Sequence, residues 1–115
     1  MAGRTIAARL QDILEAIEGI KRTTAGVDFA GYEDWAVRRA TERGIEIISE
    51  ASRQLPADRK REHPDVPWRE IAGIGNKLRH EYQRIEDRVL WNVVQRELEP
   101  LEMAARAMLA DLDRS

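Results

Sequence analysis

Apolar residues recur in this chain at intervals of three and four over most of its length, and that spacing commits it to helices that each bury one side. In the first stretch, Ile6, Leu10, Ile13, Leu14, Ile17 and Ile20 form one stripe, with Thr5 placed to cap its start. The run Thr23-Thr24-Ala25-Gly26 stops it, since Gly26 suits a left-handed helix end. A second stretch, from about Tyr32 to Leu55, carries Val37, Ala40, Gly44, Ile47, Ile48, Ala51 and Leu55. Its small residues at Ala40, Gly44 and Ala51 predict close approach by a neighbouring helix. Pro56 ends it, because proline disfavours helix in the residue before it.

The segment 57–67 reads as a polar connection containing Arg59, Lys60, Arg61 and His63. Pro67 suits the first turn of a third helix, where its missing amide proton has no partner to lose. Ile71, Ile74, Leu78, Tyr82 and Ile85 mark the buried face of that helix. Gly73 and Gly75 cost it roughly 1 kcal/mol each relative to alanine, so packing or a ligand must favour them. Glycine at every second position lines no single face. The pair is read as thinning the helix before His80, leaving room for a partner backbone or a nucleotide. A fourth helix, about Asp87 to Leu112, aligns Leu90, Val94, Leu98, Leu101, Ala105, Met108 and Leu112. Pro100 lies inside it, so a kink is expected near Arg96. Four helices with short connections make an all-α, antiparallel up-and-down four-helix bundle with a kinked last helix, expected as one domain over residues 1–115.

Composition agrees. Hydrophobic residues make up 43% and charged residues 35%, while aromatics are only 5%, a balance that favours amphipathic helix over sheet. The chain has no cysteine, which excludes disulfides and thiolate metal sites. Its two histidines lack a matching carboxylate spacing, so no metal and no cofactor is expected. No apolar run is long enough to cross a bilayer, and residues 1–10 lack a signal peptide's apolar core. The expected location is the cytoplasm, away from membranes. A net charge of -2 excludes a generic, charge-driven nucleic-acid binder, so any RNA contact must come from a local patch.

Several residues have plain structural readings. Trp68 and Trp91 read as packing residues at helix ends, and Trp35 either joins them or lies at an interface. Arg59, Lys60 and Arg61 are flanked by Asp58 and Glu62 and read as a solvated loop. His63 serves the turn before Pro64. Glu46 and Glu50 read as solvated or salt-bridged residues.

The segment from His63 to Trp91, HPDVPWREIAGIGNKLRHEYQRIEDRVLW, carries more than a fold. With the upstream run Arg43-Gly44-Ile45-Glu46-Ile47-Ile48-Ser49-Glu50-Ala51, it resembles the HepT-like toxins of the HEPN superfamily. The resemblance spans nearly the whole chain. It implies a homodimeric helical toxin of a type VII toxin–antitoxin pair, acting as a metal-independent ribonuclease on tRNA or mRNA. The implied partner is a minimal nucleotidyltransferase antitoxin of the MntA-like kind.

The family's motif places an arginine five residues before a histidine and a tyrosine two residues after it. His80 and Tyr82 match, whereas Gly75 stands at the arginine position. Asn76, which commonly follows that arginine, is retained, and Arg79 is the nearest substitute. RNA cleavage needs a base for the ribose 2′-hydroxyl and a cation for charge developing on phosphate. Histidine suits the first task and arginine the second. The resemblance thus assigns His80 as acid/base, Arg79 as phosphate contact, and Asn76 and Lys77 as substrate-positioning groups. Tyr82 becomes the residue that the antitoxin modifies with AMP, or a substrate contact. Gly75 favours an alternative, a catalytically inactive HEPN module that binds its nucleotidyltransferase partner or nucleotide. A purely structural helical dimer is a third reading.

Overall fold

The computed structural model describes residues 2–81 and 86–114. Among them there is helix and no strand: α1 (Ala2–Thr24), a 3-10 turn (Gly31–Glu33), α2 (Trp35–Arg53), α3 (Ala57–Arg61), α4 (Trp68–Glu81), α5 (Asp87–Arg96) and α6 (Leu98–Arg114). Helix α2 lies between α1 and α4, and α1 packs on its other flank against α6. The long segments run up and down as a four-helix bundle whose last member is broken in two. Its core is drawn from every layer: Leu10, Ile13, Ile17 and Ile20 of α1, Ile45 and Ile48 of α2, Ile71 and Leu78 of α4, and Leu90, Leu98, Leu101 and Met108 of α5 and α6.

Local chemistry sets the helix ends. Gly26 adopts a positive φ of 73° just past α1, a left-handed conformation that costs glycine nothing. Helix α1 begins at Ala2, so residue 5 lies inside it and does not cap it. Helix α2 starts at Trp35, later than the predicted Tyr32. The Asp34 carboxylate accepts from the backbone N–H of Ala36 at 3.0 Å and of Val37 at 3.3 Å, a cap the apolar pattern hid. Tyr32 instead sits in the 3-10 turn, fully buried between Phe29 and Trp91, with ring centroids 6.5 and 5.4 Å away.

The expected polar connection contains the short helix α3. The Lys60 ammonium donates to the Ser52 carbonyl at 3.2 Å, satisfying an end of α2. The Trp68 indole N–H is shared by the Lys60 and His63 carbonyls, each 3.1 Å away. Trp68 packs at the start of α4 as expected, whereas Trp91 packs midway along α5; the His63 carbonyl also closes the turn by accepting from Val66 N–H.

The last helix does more than kink. The helix is interrupted at Glu97, which closes α5 as its C-cap, and α6 starts afresh at Leu98. Pro100 then falls in the first turn of α6, where its missing N–H leaves no bond unmade and its ring no longer crowds a continuing helix.

The buried face of α2 is broader than its apolar stripe. Ala40 is exposed and Val37 and Ile47 are only half-buried, while Thr41, Ser49 and Ser52 are buried. With neighbours on two sides, α2 needs small side chains more than apolar ones. The hydroxyls close on backbone carbonyls: Thr41 donates to Val37 at 2.8 Å, Ser52 to Ser49 at 2.9 Å, and Ser49 across to Ala72 of α4 at 3.0 Å.

Two glycines permit this approach. A Cβ on Gly44 would lie 2.7 Å from Ile20 of α1, and one on Gly75 only 2.0 Å from the Ser49 Oγ. The space a side chain would take at Gly75 is therefore filled by Ser49 of α2. Gly73 faces the other way, with nothing within 4 Å of its would-be Cβ.

Gly75→Ala is expected to lower stability by about 1–3 kcal/mol through overpacking. Adding Ser49→Gly should make the pair less damaging than the sum of its parts, read by urea denaturation as a double-mutant cycle; strict additivity would deny the contact. A second expectation concerns Glu102, whose carboxyl is held below the ordinary range first by Lys21 and then by Arg106. A depressed carboxyl stabilises the fold above its unfolded pKa and loses that contribution as pH falls through the folded value. Glu102→Gln should therefore lower stability near pH 7, by about 0.5–1 kcal/mol because both cationic partners are solvent-exposed. The gap should close in acid, below the roughly 4.3 of an unfolded glutamate.

Candidate functional site

Helix α4 divides the candidate residues between two surfaces. Ile71, Gly75 and Leu78 turn inward and are buried. At 100° per residue, His80 then lies roughly half a turn from that buried line, with Asn76 and Lys77 beside it. All three are exposed, together with Arg69 and Gly73. Pairs three and four residues apart bring their Cβ atoms to about 5–6 Å, so Lys77 and Asn76 are both neighbours of His80. The face is open, polar and cationic, and the bare backbone at Gly73 extends it.

Arg79 points elsewhere. It lines a cleft of about 190 Å³ on the flank of α4, where α1 and α2 also contribute. Its guanidinium lies 3.5 Å from the Glu50 carboxylate of α2. Gly75 forms part of the floor, and Arg9 of α1 and Arg43 of α2 face the same space. Each of these has its own carboxylate, Arg9 with Asp12 at 3.9 Å and Arg43 with Glu46 at 3.8 Å. Arg9 and Arg43 were not singled out from the sequence. The signal was present in the spacing, since both pairs are three residues apart on predicted helices.

The cleft continues along α2 into a second one of about 230 Å³, lined by Arg39, Glu42, Arg43, Glu46 and Leu78. Beneath it Glu42 is buried, and the other polar groups are half-buried. Arg39 Nε lies 3.1 Å from Glu42, and Arg38 lies 3.3 Å from Asp87 at the start of α5. Burial raises the Glu42 carboxyl above its ordinary range against the opposing pull of Arg39 and Arg38. Burial, then Glu42 and Asp87, likewise pushes the Tyr32 phenol well above its usual value. The Tyr32 hydroxyl makes no hydrogen bond among the described residues.

Tyr82, the predicted modification residue, lies outside the described residues. Among the described residues no group of three or more histidine or acidic side chains could hold a metal ion. None of the described helices is long and apolar enough to cross a membrane.

Relatives place this arrangement in a family. A protein of Thermococcus cleftensis named "Probable ribonuclease HepT" is 43% identical over 94 residues, covering 81% of this chain and 86% of its own. A "Putative RNase" of Caldanaerobacter subterraneus is 36% identical over 101 residues, covering 87% and 90% of the two chains. A "Putative RNase" of Methanocaldococcus jannaschii is 35% identical over 99 residues, covering 85% and 91%. No solved structure matches the chain significantly. The family model described as "Ribonuclease HepT-like" matches residues 13–108. On that match and the helical architecture around it, the chain belongs to the HepT-like ribonuclease family of the HEPN superfamily.

Proposed function

We propose that this chain is a metal-independent endoribonuclease whose working face is the outward side of α4. The observation that carries the reading is the exposed cluster of Asn76, Lys77 and His80 on that side, in a chain whose relatives bear ribonuclease names. The His80 imidazole takes the proton of a ribose 2′-hydroxyl. The freed oxygen attacks the adjacent phosphorus, the bond to the 5′-oxygen breaks, and His80 returns the proton to that leaving oxygen. The products are a 2′,3′-cyclic phosphate and a 5′-hydroxyl. Lys77, one turn from His80, stabilises the phosphate oxygens as charge builds on them, and Asn76 donates hydrogen bonds that orient the strand. Arg79 contributes at longer range, by leaving its exposed and weak pair with Glu50 for a substrate phosphate.

In this reading the protein works in the cytoplasm as a homodimer, the toxin of a toxin–antitoxin pair, and takes tRNA or mRNA as substrate. A nucleotidyltransferase partner restrains it by transferring AMP from ATP to the Tyr82 hydroxyl with release of pyrophosphate. The added phosphate carries negative charge that repels RNA.

One observation favours a second reading, a family member that binds its partner without cleaving RNA. The motif arginine is replaced by Gly75, a residue α2 leaves no room to enlarge, and Arg79 lies about 100° round the helix from His80.

Purified protein incubated with total RNA separates the two. Cleavage is expected to leave 2′,3′-cyclic phosphate ends and to continue in a chelator. His80→Ala should lower the rate by about 10²- to 10⁴-fold, the usual worth of a positioned acid/base group, and Lys77→Ala by less. Intact RNA after incubation with the wild-type dimer would leave only the binding module. Co-expression with the nucleotidyltransferase should yield a Tyr82 peptide carrying AMP in mass spectrometry. A peptide carrying the group elsewhere would remove Tyr82 from the account.

A further inference from the structure

We propose that Trp35 is a stacking platform for an unpaired base, so that the substrate strand is single-stranded where it crosses the start of α2. The inference rests on the ribonuclease reading above and names the substrate form that it leaves open.

Trp35 stands apart from the other two tryptophans. Trp91 is packed in the core, and the Trp68 indole is fixed by two carbonyls. Trp35 is 71% exposed, and no described ring lies against it. An exposed indole keeps a wide apolar face in water, and any base can cover that face whatever its identity.

The same side of α2 carries the cations a strand needs. Arg38, Arg39 and Arg43 follow Trp35 by three, four and eight residues and so share its side of the helix. Each pairs with a carboxylate, but the carboxylates lie deeper. The Arg39 side chain is 35% exposed over Glu42 at 12%, and the Arg43 side chain 70% over Glu46 at 26%. A guanidinium has five N–H donors, more than one carboxylate engages, so an arginine already paired can still meet a phosphate. At these two pairs the acid holds the fork in place and solvent meets more of the cation than of the acid. This resolves how a chain of net charge -2 can present a local surface for polyanion.

Continuity is the third observation. The two clefts along α2 share Arg43 and Glu46, and the first of them is lined by Arg79. Helices α2 and α4 are antiparallel, with Ser49 against Gly75 and with Glu42 and Glu46 beside Leu78. Trp35 therefore lies at the end of α2 beside the C-terminal end of α4, about 12 Å further along the axis than the level of His80 at 1.5 Å per residue. That separation fits within the roughly 4–16 nucleotides that a platform-and-groove site spans.

The test is tryptophan fluorescence during titration with a single-stranded 2′-O-methyl oligouridylate, which binds like RNA but has no 2′-hydroxyl to react. Wild-type emission should be quenched on binding. Trp35→Ala should lose the quenching and bind roughly ten-fold more weakly, with little change in Tm because the side chain is 71% exposed. Trp35→Phe should keep part of the affinity, and a duplex of equal length should quench less. Equal affinity for wild type and Trp35→Ala would overturn the platform while leaving the His80 chemistry intact. So would a Trp35→Ala variant that binds RNA normally but loses self-association or its protein partner, since Trp35 would then be a protein contact. Failure of the wild type to bind any single strand would remove the platform together with the RNA reading beneath it.

Discussion

The approach of α2 to its two neighbours is what the rest of this molecule is arranged around. Where Ser49 meets Gly75, and where Ile20 meets Gly44, a single methyl group would not fit. Helices this close exchange more dispersion contact than leucine-lined ones, and they can bond backbone to side chain directly. Ser49 and Arg53 both donate to the Ala72 carbonyl, at 3.0 and 2.9 Å. These contacts lock the rotation of α4 about its own axis. Rotation is the variable that matters for function, because it decides which residues of α4 meet solvent. With Gly75 pressed against α2, Asn76, Lys77 and His80 must face out, and Arg79 must turn to the flank.

The same constraint gives the replacement of the motif arginine a physical reason. An arginine at position 75 would have to leave the helix through Ser49. The chain carries its guanidinium at Arg79 instead, one turn further along and on the rim of the cleft that Gly75 floors. Cation and imidazole thus lie on adjacent surfaces of one helix, separated by an angle rather than by a turn.

Much of this was legible from residue spacing. The α1 stripe, the left-handed stop at Gly26, the end of α2 before Pro56 and the start of α4 after Pro67 all follow from local chemistry, and local chemistry is written in adjacent residues. The family resemblance was carried by the run from His63 to Trp91. What stayed hidden depended on contacts between distant segments. Ser49, Ser52 and Thr41 read as polar, yet they are buried because small size and a satisfied hydroxyl suit a helix with two neighbours. Gly73 and Gly75 read as one device and are two, one facing α2 and the other facing water. Tyr32 marks the expected start of α2, whereas Asp34 supplies the cap and sets the start at Trp35. The carboxylates beneath Arg39 and Arg43 could be paired from their spacing, but their depth could not.

The interruption at Glu97 has a consequence for how the final third of the chain is anchored. Helix α5 answers to α2 through Asp87 and Arg38, and to the aromatic nest through Trp91. Helix α6 answers to α1 through Glu102 and Lys21. One unbroken rod would have to choose a single direction and serve one of these allegiances poorly. Interrupted at Glu97, the segment keeps both sets of contacts, α5 with α2 and the aromatic nest, α6 with α1.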